Sequence, residues 1–403
     1  MMPRELTRKA GAINTVAGTG DGAMSGDGGS AVSACLNEPK SVAFDTRGNL
    51  IIVDSENHVI RKVDRLSGVI VTVAGYTEPF QRREDPVQPE GGSIPMEEDP
   101  LAEQTSGAQA FAHQTDLSGT VRYVINGGGP SMRFGGDGGP AIKALLNFPT
   151  AAAVDADGHL YIADTMNHRI RRVDAASGRI TTIAGVGQPR FNGDGGPAEA
   201  AGLNEPSALA ITASSILYVA DQNNNRVRAI DLHTGLIRTV AGTGAATYNG
   251  DGIPAIEAAL AGPSGLAVGA DGTLFIADTF NGRIRSVDPD TGMIQTVVGD
   301  GGAYRYQGPA EPASSSLARP YGIALSADGQ LFISDSDNHL IRRWNPATGR
   351  LDRLAGVGVS AYGGDGGLAL DASLNYPFGI AMAADGGLFI ADTFNHRIRE
   401  IVL

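Results

Sequence analysis

The chain has 403 residues, a formal net charge of −13 and one cysteine, Cys35. A single cysteine excludes an intrachain disulfide, no apolar run approaches the length of a membrane-spanning helix, and the acidic balance argues against a basic nucleic-acid-binding face. The opening MMPRELTRKAG carries no apolar core of the secretory-leader kind, so a cytoplasmic protein that neither enters a membrane nor binds nucleic acid is expected.

In chain order, the first element is an orphan strand, G-A-I-N-T-V-A-G at residues 11–18, followed by a loop containing Gly26-Asp27-Gly28-Gly29. The first complete unit begins at Pro39 with a small apolar segment, P-K-S-V-A-F. A turn leads to the apolar run L-I-I-V and then to D-S-E-N-H-V-I-R from Asp54. The unit ends in another G-x-I-x-T-V-A-G-like strand at residues 68–75. Short runs rich in β-branched and aromatic residues between turn signals read as strands buried on both faces.

The same phrase then returns as DTMNHRIR from Asp164, DQNNNRVR from Asp221, DTFNGRIR from Asp278, DSDNHLIR from Asp335 and DTFNHRIR from Asp392. The last five of these aspartates are spaced 57 positions apart, whereas the first gap is 110. A fixed long period means stacked supersecondary units. Four short strands per unit leave no room for a crossover helix, so each unit is an antiparallel blade and six blades form an all-β, six-bladed β-propeller. The last unit stops after its third strand, at Leu403. The orphan strand at residues 11–18 is expected to complete it, which closes the ring and removes its open edges.

The phrase A-D-T-x-N-H-R-I-R-x-V-D, with G-x-I-x-T-V-A-G and the G-D-G-G-P-A loop, resembles the NHL-repeat family over nearly the whole chain except about residues 1–10 and 76–118. The resemblance implies a six-bladed propeller, here one domain spanning 1–403, and leaves the chemistry open, because such scaffolds carry many activities.

Residues 76–118, rich in Pro and Glu, form an insertion between blades one and two. If residues 68–75 are the fourth strand of blade one, the insertion leaves from the face that carries the D-T-x-N-H turns and the long G-D-G-G loops, called the top here, and could act as a lid. If residues 117–125 are that strand, it lies on the bottom. The unbroken turn 64–68 favours the first arrangement.

Both repeated polar motifs share the top face. The loop aspartates Asp27, Asp137, Asp194, Asp251 and Asp365 could ligate Ca²⁺ or could fix their loops. One carboxylate per loop favours fixing, since Ca²⁺ takes several oxygens. Proline after the loop suits the first position of a short helical turn. Motif Asp and Arg residues needed six times over read as staples between blades. The motif histidines His58, His168, His339 and His396 are about a blade or more apart, too far to converge on one metal, and no metal or other cofactor is expected.

The informative positions are those that differ between repeats. The residues flanking the first-strand proline are Glu38/Lys40, Phe148/Thr150, Glu205/Ser207, Gly262/Ser264, Arg319/Tyr321 and Tyr376/Phe378. Blades five, six and one thereby give the channel mouth an aromatic, charged wall, and blades three and four leave it open. Unit five also carries Gly308 where the period puts a loop aspartate. Aromatic surface with a few polar groups in a concavity is the make-up of a small-ligand site, although the same residues could simply plug the channel.

Three kinds of propeller enzyme bear on the chemistry. Peptidyl-hydroxyglycine amidating lyases, similar propellers, place a metal-binding His directly after that proline, where this chain has Lys40, Thr150, Ser207, Ser264, Tyr321 and Phe378. Gluconolactonase-type hydrolases use Glu, Asn and Asp at the mouth; Glu38 and Glu205 could serve, but the partners after proline are missing. Metal-free, strictosidine-synthase-like acid–base chemistry stays open. The expected function is therefore binding of a small molecule or protein at the top mouth through Glu38, Lys40, Phe148, Glu205, Arg319, Tyr321, Tyr376 and Phe378. The alternative is a metal-free lyase, cyclase or hydrolase using Glu38, Glu205, Tyr321 and Tyr376.

Overall fold

In the computed structural model, residues 9–76, 133–302 and 316–403 are described in full, and the backbone is also described at 112–115, 121–124 and 310–312. Six antiparallel sheets follow the period. Blade one is Pro39–Phe44, Leu50–Asp54, Val59–Val63 and Ile70–Ala74, and blade two is Ala151–Val154, Leu160–Asp164, Arg169–Val173 and Ile180–Ala184. Blades three to five repeat this order from Pro206, Pro263 and Pro320. Blades four and five each gain a short outer strand, Ile253–Pro254 and Ala310–Pro312.

Blade six takes three strands from the C-terminal end of the chain and its fourth from the N-terminal side. Ile13–Ala17 pairs antiparallel with Arg397–Val402, in the register Ile13 with Ile401. The core is correspondingly distributed. Each of six apolar clusters lies between two neighbouring blades, including Leu36, Val42 and Ile52 of blade one against Ala391 and Ile398 of blade six. Sheets packed face to face bury apolar side chains on both faces, which is why the second strands read as unbroken runs such as L-Y-I-A.

After each long loop comes a single 3-10 turn: Ala31–Ser33, Ala141–Lys143, Ala198–Ala200, Ala255–Glu257 and Ala369–Asp371. The expected short helical turn is present, but the proline stands one place earlier than its first position. Pro140, at φ −61° and ψ 131°, is the extended residue that caps it.

Ile70–Ala74 is the fourth strand of blade one, paired with Val59–Val63. Residues 78–132 form a separate compact unit, in which Ala112–Thr115 pairs with Val121–Val124. The lid expectation for 76–118 and the Gly308 loop fall mostly outside the described residues.

Candidate functional site

The repeated polar residues build the frame on which the variable ones sit. Each motif Asp accepts a backbone N–H from the segment that enters its own first strand, as Asp54 does from Asn37 and Asp164 from Asn147, both at 2.7 Å. Each also faces the arginine that ends its eight-residue motif. Arg61, Arg171, Arg228, Arg285, Arg342 and Arg399 are all buried, and five of them bridge to the Asp of the long loop: Asp27, Asp137, Asp194, Asp251 and Asp365, at 2.5–2.8 Å. Those loop carboxylates also hold the fourth strand, as in the 2.7 Å bonds from Thr182 to Asp137 and from Thr239 to Asp194. Aromatic loop residues stack on the basic pair: Phe134, Phe191, Tyr248 and Tyr362 lie 3.7–3.9 Å from Arg169, Arg226, Arg283 and Arg397. Loop fixing is thus the work of these aspartates. Burial pushes the motif carboxyls up, to about 6 for Asp164, Asp221, Asp278, Asp335 and Asp392 and about 7 for Asp54, against the opposing pull of hydrogen bonds and the arginines.

The histidines are latches between blades. The backbone N–H of Phe148 donates to His58 Nδ1 at 2.9 Å, and those of Glu205, Tyr376 and Glu38 donate to His168, His339 and His396 at 3.1 Å. Asn225 does the same work through Oδ1, which accepts the Gly262 N–H at 2.9 Å. An accepting Nδ1 must be unprotonated, and burial lowers all four histidines, His58 to about 4. The residue held by each latch is the one before the first-strand proline. Glu38, Phe148, Glu205, Gly262, Arg319 and Tyr376 all take left-handed backbone, φ +46° to +55°. This is the reverse of the extended preference before proline. A side chain in this ring is therefore presented by a strained backbone that the repeat enforces whatever the residue is.

On this frame the variable side chains make a continuous arc over four blades. Tyr321 of blade five stacks on Phe378 of blade six, centroids 4.3 Å apart and 14° between planes. Lys40 of blade one places Nζ 4.7 Å from the Phe378 centroid and 5.7 Å from that of Phe148 of blade two. Lys40 is only 6% exposed and ion-pairs with Glu38 at 2.9 Å. Tyr376 packs edge-on against His339 and Phe394. Five of the eight candidates, Glu38, Lys40, Phe148, Tyr321 and Phe378, therefore connect directly. Arg319 turns to Asp337, 3.1 Å away, with its guanidinium 6.0 Å from the Phe280 ring. Glu205 bonds to Asn223 and reaches the arc through its field at Tyr321, whose hydroxyl burial pushes up to about 12. The corresponding hydroxyls in blades two and three are committed to neighbouring backbone, Thr150 to the Ser207 carbonyl and Ser207 to that of Pro263, each at 3.1 Å.

Two aromatic members escape the sequence reading. Phe394 lies 5.1 Å from Lys40 Nζ, and Phe280 stands 43% exposed above Gly262, where any Cβ would meet its ring at 2.4 Å. Both occupy the x of D-T-x-N, which runs Glu56, Met166, Asn223, Phe280, Asp337 and Phe394. The signal was present there as a second variable position inside an otherwise repeated motif.

Elsewhere, a cavity of about 430 Å³ opens between blades two and three at the opposite end, lined by Asp155, His159, Tyr161, Arg172 and His233 among others. The possible ligand atoms of Asp155, Asp157 and His159 lie within 4.8 Å of one another. Turn contacts account for this grouping: Asp155 accepts the His159 N–H at 2.8 Å and the Tyr161 hydroxyl at 2.9 Å, and His159 Nδ1 accepts the Ala175 N–H at 3.1 Å. No helix among the described residues is long and apolar enough to cross a membrane.

A family model of the teneurin NHL domain matches residues 4–96, 238–315 and 309–402, more than half of the chain, and an NHL-repeat model matches 146–173. The chain is 31% identical over 286 residues to Protein SUPPRESSOR OF QUENCHING 1, chloroplastic, of Arabidopsis thaliana, a match that covers 68% of this chain and 27% of that protein. It is 27% identical over 326 residues to NHL repeat-containing protein 2 of Bos taurus, covering 71% and 42%. The chain therefore spans less than half the length of these curated relatives. A solved Bacteroides thetaiotaomicron protein of unknown function superposes with a TM-score of 0.62 at 17% identity, over 96% of this chain and 75% of that one; at such identity the likeness is one of fold alone. On the family-model match and the six-bladed ring together, this chain belongs to the NHL-repeat family of β-propellers.

Proposed function

We propose that this propeller binds a small molecule at its top mouth, on the arc from Tyr321 through Phe378 and Lys40 to Phe148. The observation that carries this reading is the contrast between frame and filling. The same left-handed backbone recurs around the ring, latched at five of its six positions, yet blades five, six, one and two use it to assemble stacked aromatic rings around the ion pair of buried Lys40 with Glu38. Stability alone asks for no such departure from the repeat, since blades three and four fill the positions after proline with Ser207 and Ser264. Native mass spectrometry of the full chain tests it: a co-purifying organic adduct that disappears in Tyr321→Ala supports the mouth, and an adduct unchanged by that substitution refutes it.

A second reading, metal-free acid–base catalysis by a lyase, cyclase or hydrolase, rests on Glu205. Burial raises its carboxyl, and its field reaches Tyr321. A raised carboxyl in an apolar mouth is suited to proton transfer near neutral pH. Under this reading Glu205→Gln abolishes turnover while sparing binding; under the first it changes affinity only.

A further inference from the structure

Building on the mouth as the binding site, we infer that its ligand is a small organic cation bearing an ammonium group. The mouth already solvates one ammonium. Lys40 Nζ sits 4.7 Å from the Phe378 ring, 5.1 Å from Phe394 and 5.7 Å from Phe148, with the Glu38 carboxylate at 2.9 Å. Aromatic faces present the negative side of their quadrupole to a cation, most effectively where water is thin, and Lys40 is nearly buried.

The charges at the mouth point the same way. Lys40 is matched by Glu38, and Arg319 by Asp337. Glu56 and Glu205 have no basic ion-pair partner among the described residues. Glu205 takes its hydrogen bond from the neutral Asn223, and Glu56 lies in the opposing fields of Glu38 and Lys40. Burial raises both carboxyls, so both gain from an arriving positive charge. Phe280, 43% exposed on blade four, offers a further ring, faced at 6.0 Å by the Arg319 guanidinium rather than by Lys40. An anion would face three glutamates, with Lys40 already paired. A cation finds unmatched carboxylates and ring faces, and competes with Lys40 for the latter.

The experiment is ligand-observed NMR titration of the full chain with benzyltrimethylammonium and, separately, benzoate. It uses wild type, Lys40→Met, Glu56→Gln and Phe378→Ala, with folding checked by circular dichroism. Benzyltrimethylammonium should bind wild type, bind about fivefold more tightly to Lys40→Met because the internal competitor is gone, and bind about fivefold more weakly to Glu56→Gln. Glu56 lies at the half-buried surface, so its variant carries the test even if Lys40→Met fails to fold. Benzoate binding that is lost in Lys40→Met would overturn the cation inference while leaving the mouth as the site. Loss of neither probe in Phe378→Ala, or binding of neither to wild type, would overturn the mouth reading and this inference with it.

Discussion

Replacing Arg228 by Met tests the frame at one of its six buried arginines. Met keeps the aliphatic volume and removes four polar contacts: Asp194 at 2.5 Å, Asp221 at 3.3 Å, and the carbonyls of Gly202 and Asn192 at 3.3 Å. Asp221 is left fully buried with the Asn204 N–H and the Asn224 amide as its remaining donors. Stranding one partner of a buried ion pair costs about 3–5 kcal/mol. Urea unfolding followed by the fluorescence of Trp344, the sole tryptophan, reads this loss. The pH dependence identifies the cause. Burial already lifts Asp221 to about 6 with Arg228 beside it, and removing that positive charge lifts it further. A folded-state carboxyl raised above its unfolded value favours the folded state when protonated and loses that stability as pH rises through the folded pKa. The penalty of Arg228→Met should thus be largest near pH 8.5 and shrink toward pH 6. Adding Asp221→Asn should recover part of it, because the stranded charge is then gone. A loss below about 1 kcal/mol, or a penalty flat over that range, would refute the staple argument.

Three further outcomes follow from the same frame. His58 is lowered from 6.5 to about 4, so the unfolded chain takes up its proton first and wild type loses stability as pH falls from about 6.5 toward 4. His58→Asn, which copies the natural latch at Asn225, should lose about 2 kcal/mol less than wild type between pH 7 and 5 in urea melts, and equal losses would count against the latch. Gly242 has φ +98°, and a Cβ there would meet the Asn225 carbonyl oxygen at 2.3 Å; Gly242→Ala should cost more than about 1 kcal/mol, and a neutral result in the same melts would contradict the packing. Deleting residues 1–18 strips the partner strand from Arg397–Val402, so the truncated chain should melt at a lower temperature and associate more than the full chain in sedimentation; an unchanged melting temperature and sedimentation profile would show that the N-terminal strand does not close the ring.

The repeat made the blade order, the four strands and the closing strand legible, because a side-chain period of two and turn residues at fixed offsets leave few alternatives. The mouth was only half legible. Proline-flanking positions announced themselves by varying, but their left-handed backbone ran against the preference of a pre-proline residue and is held, at four of the six, by a histidine from the neighbouring blade. Phe280 and Phe394 lay hidden inside a motif read as structural. Arg319, expected on the aromatic wall, pairs instead with Asp337, which occupies that same hidden position in blade five.

A crystallographic screen of small aromatic and charged fragments against the full chain would show where this propeller takes a ligand. Bound fragments should gather at the top mouth, in contact with Tyr321, Phe378 or Phe148. Fragments concentrated in the 430 Å³ cavity between blades two and three, with the mouth empty, would contradict it.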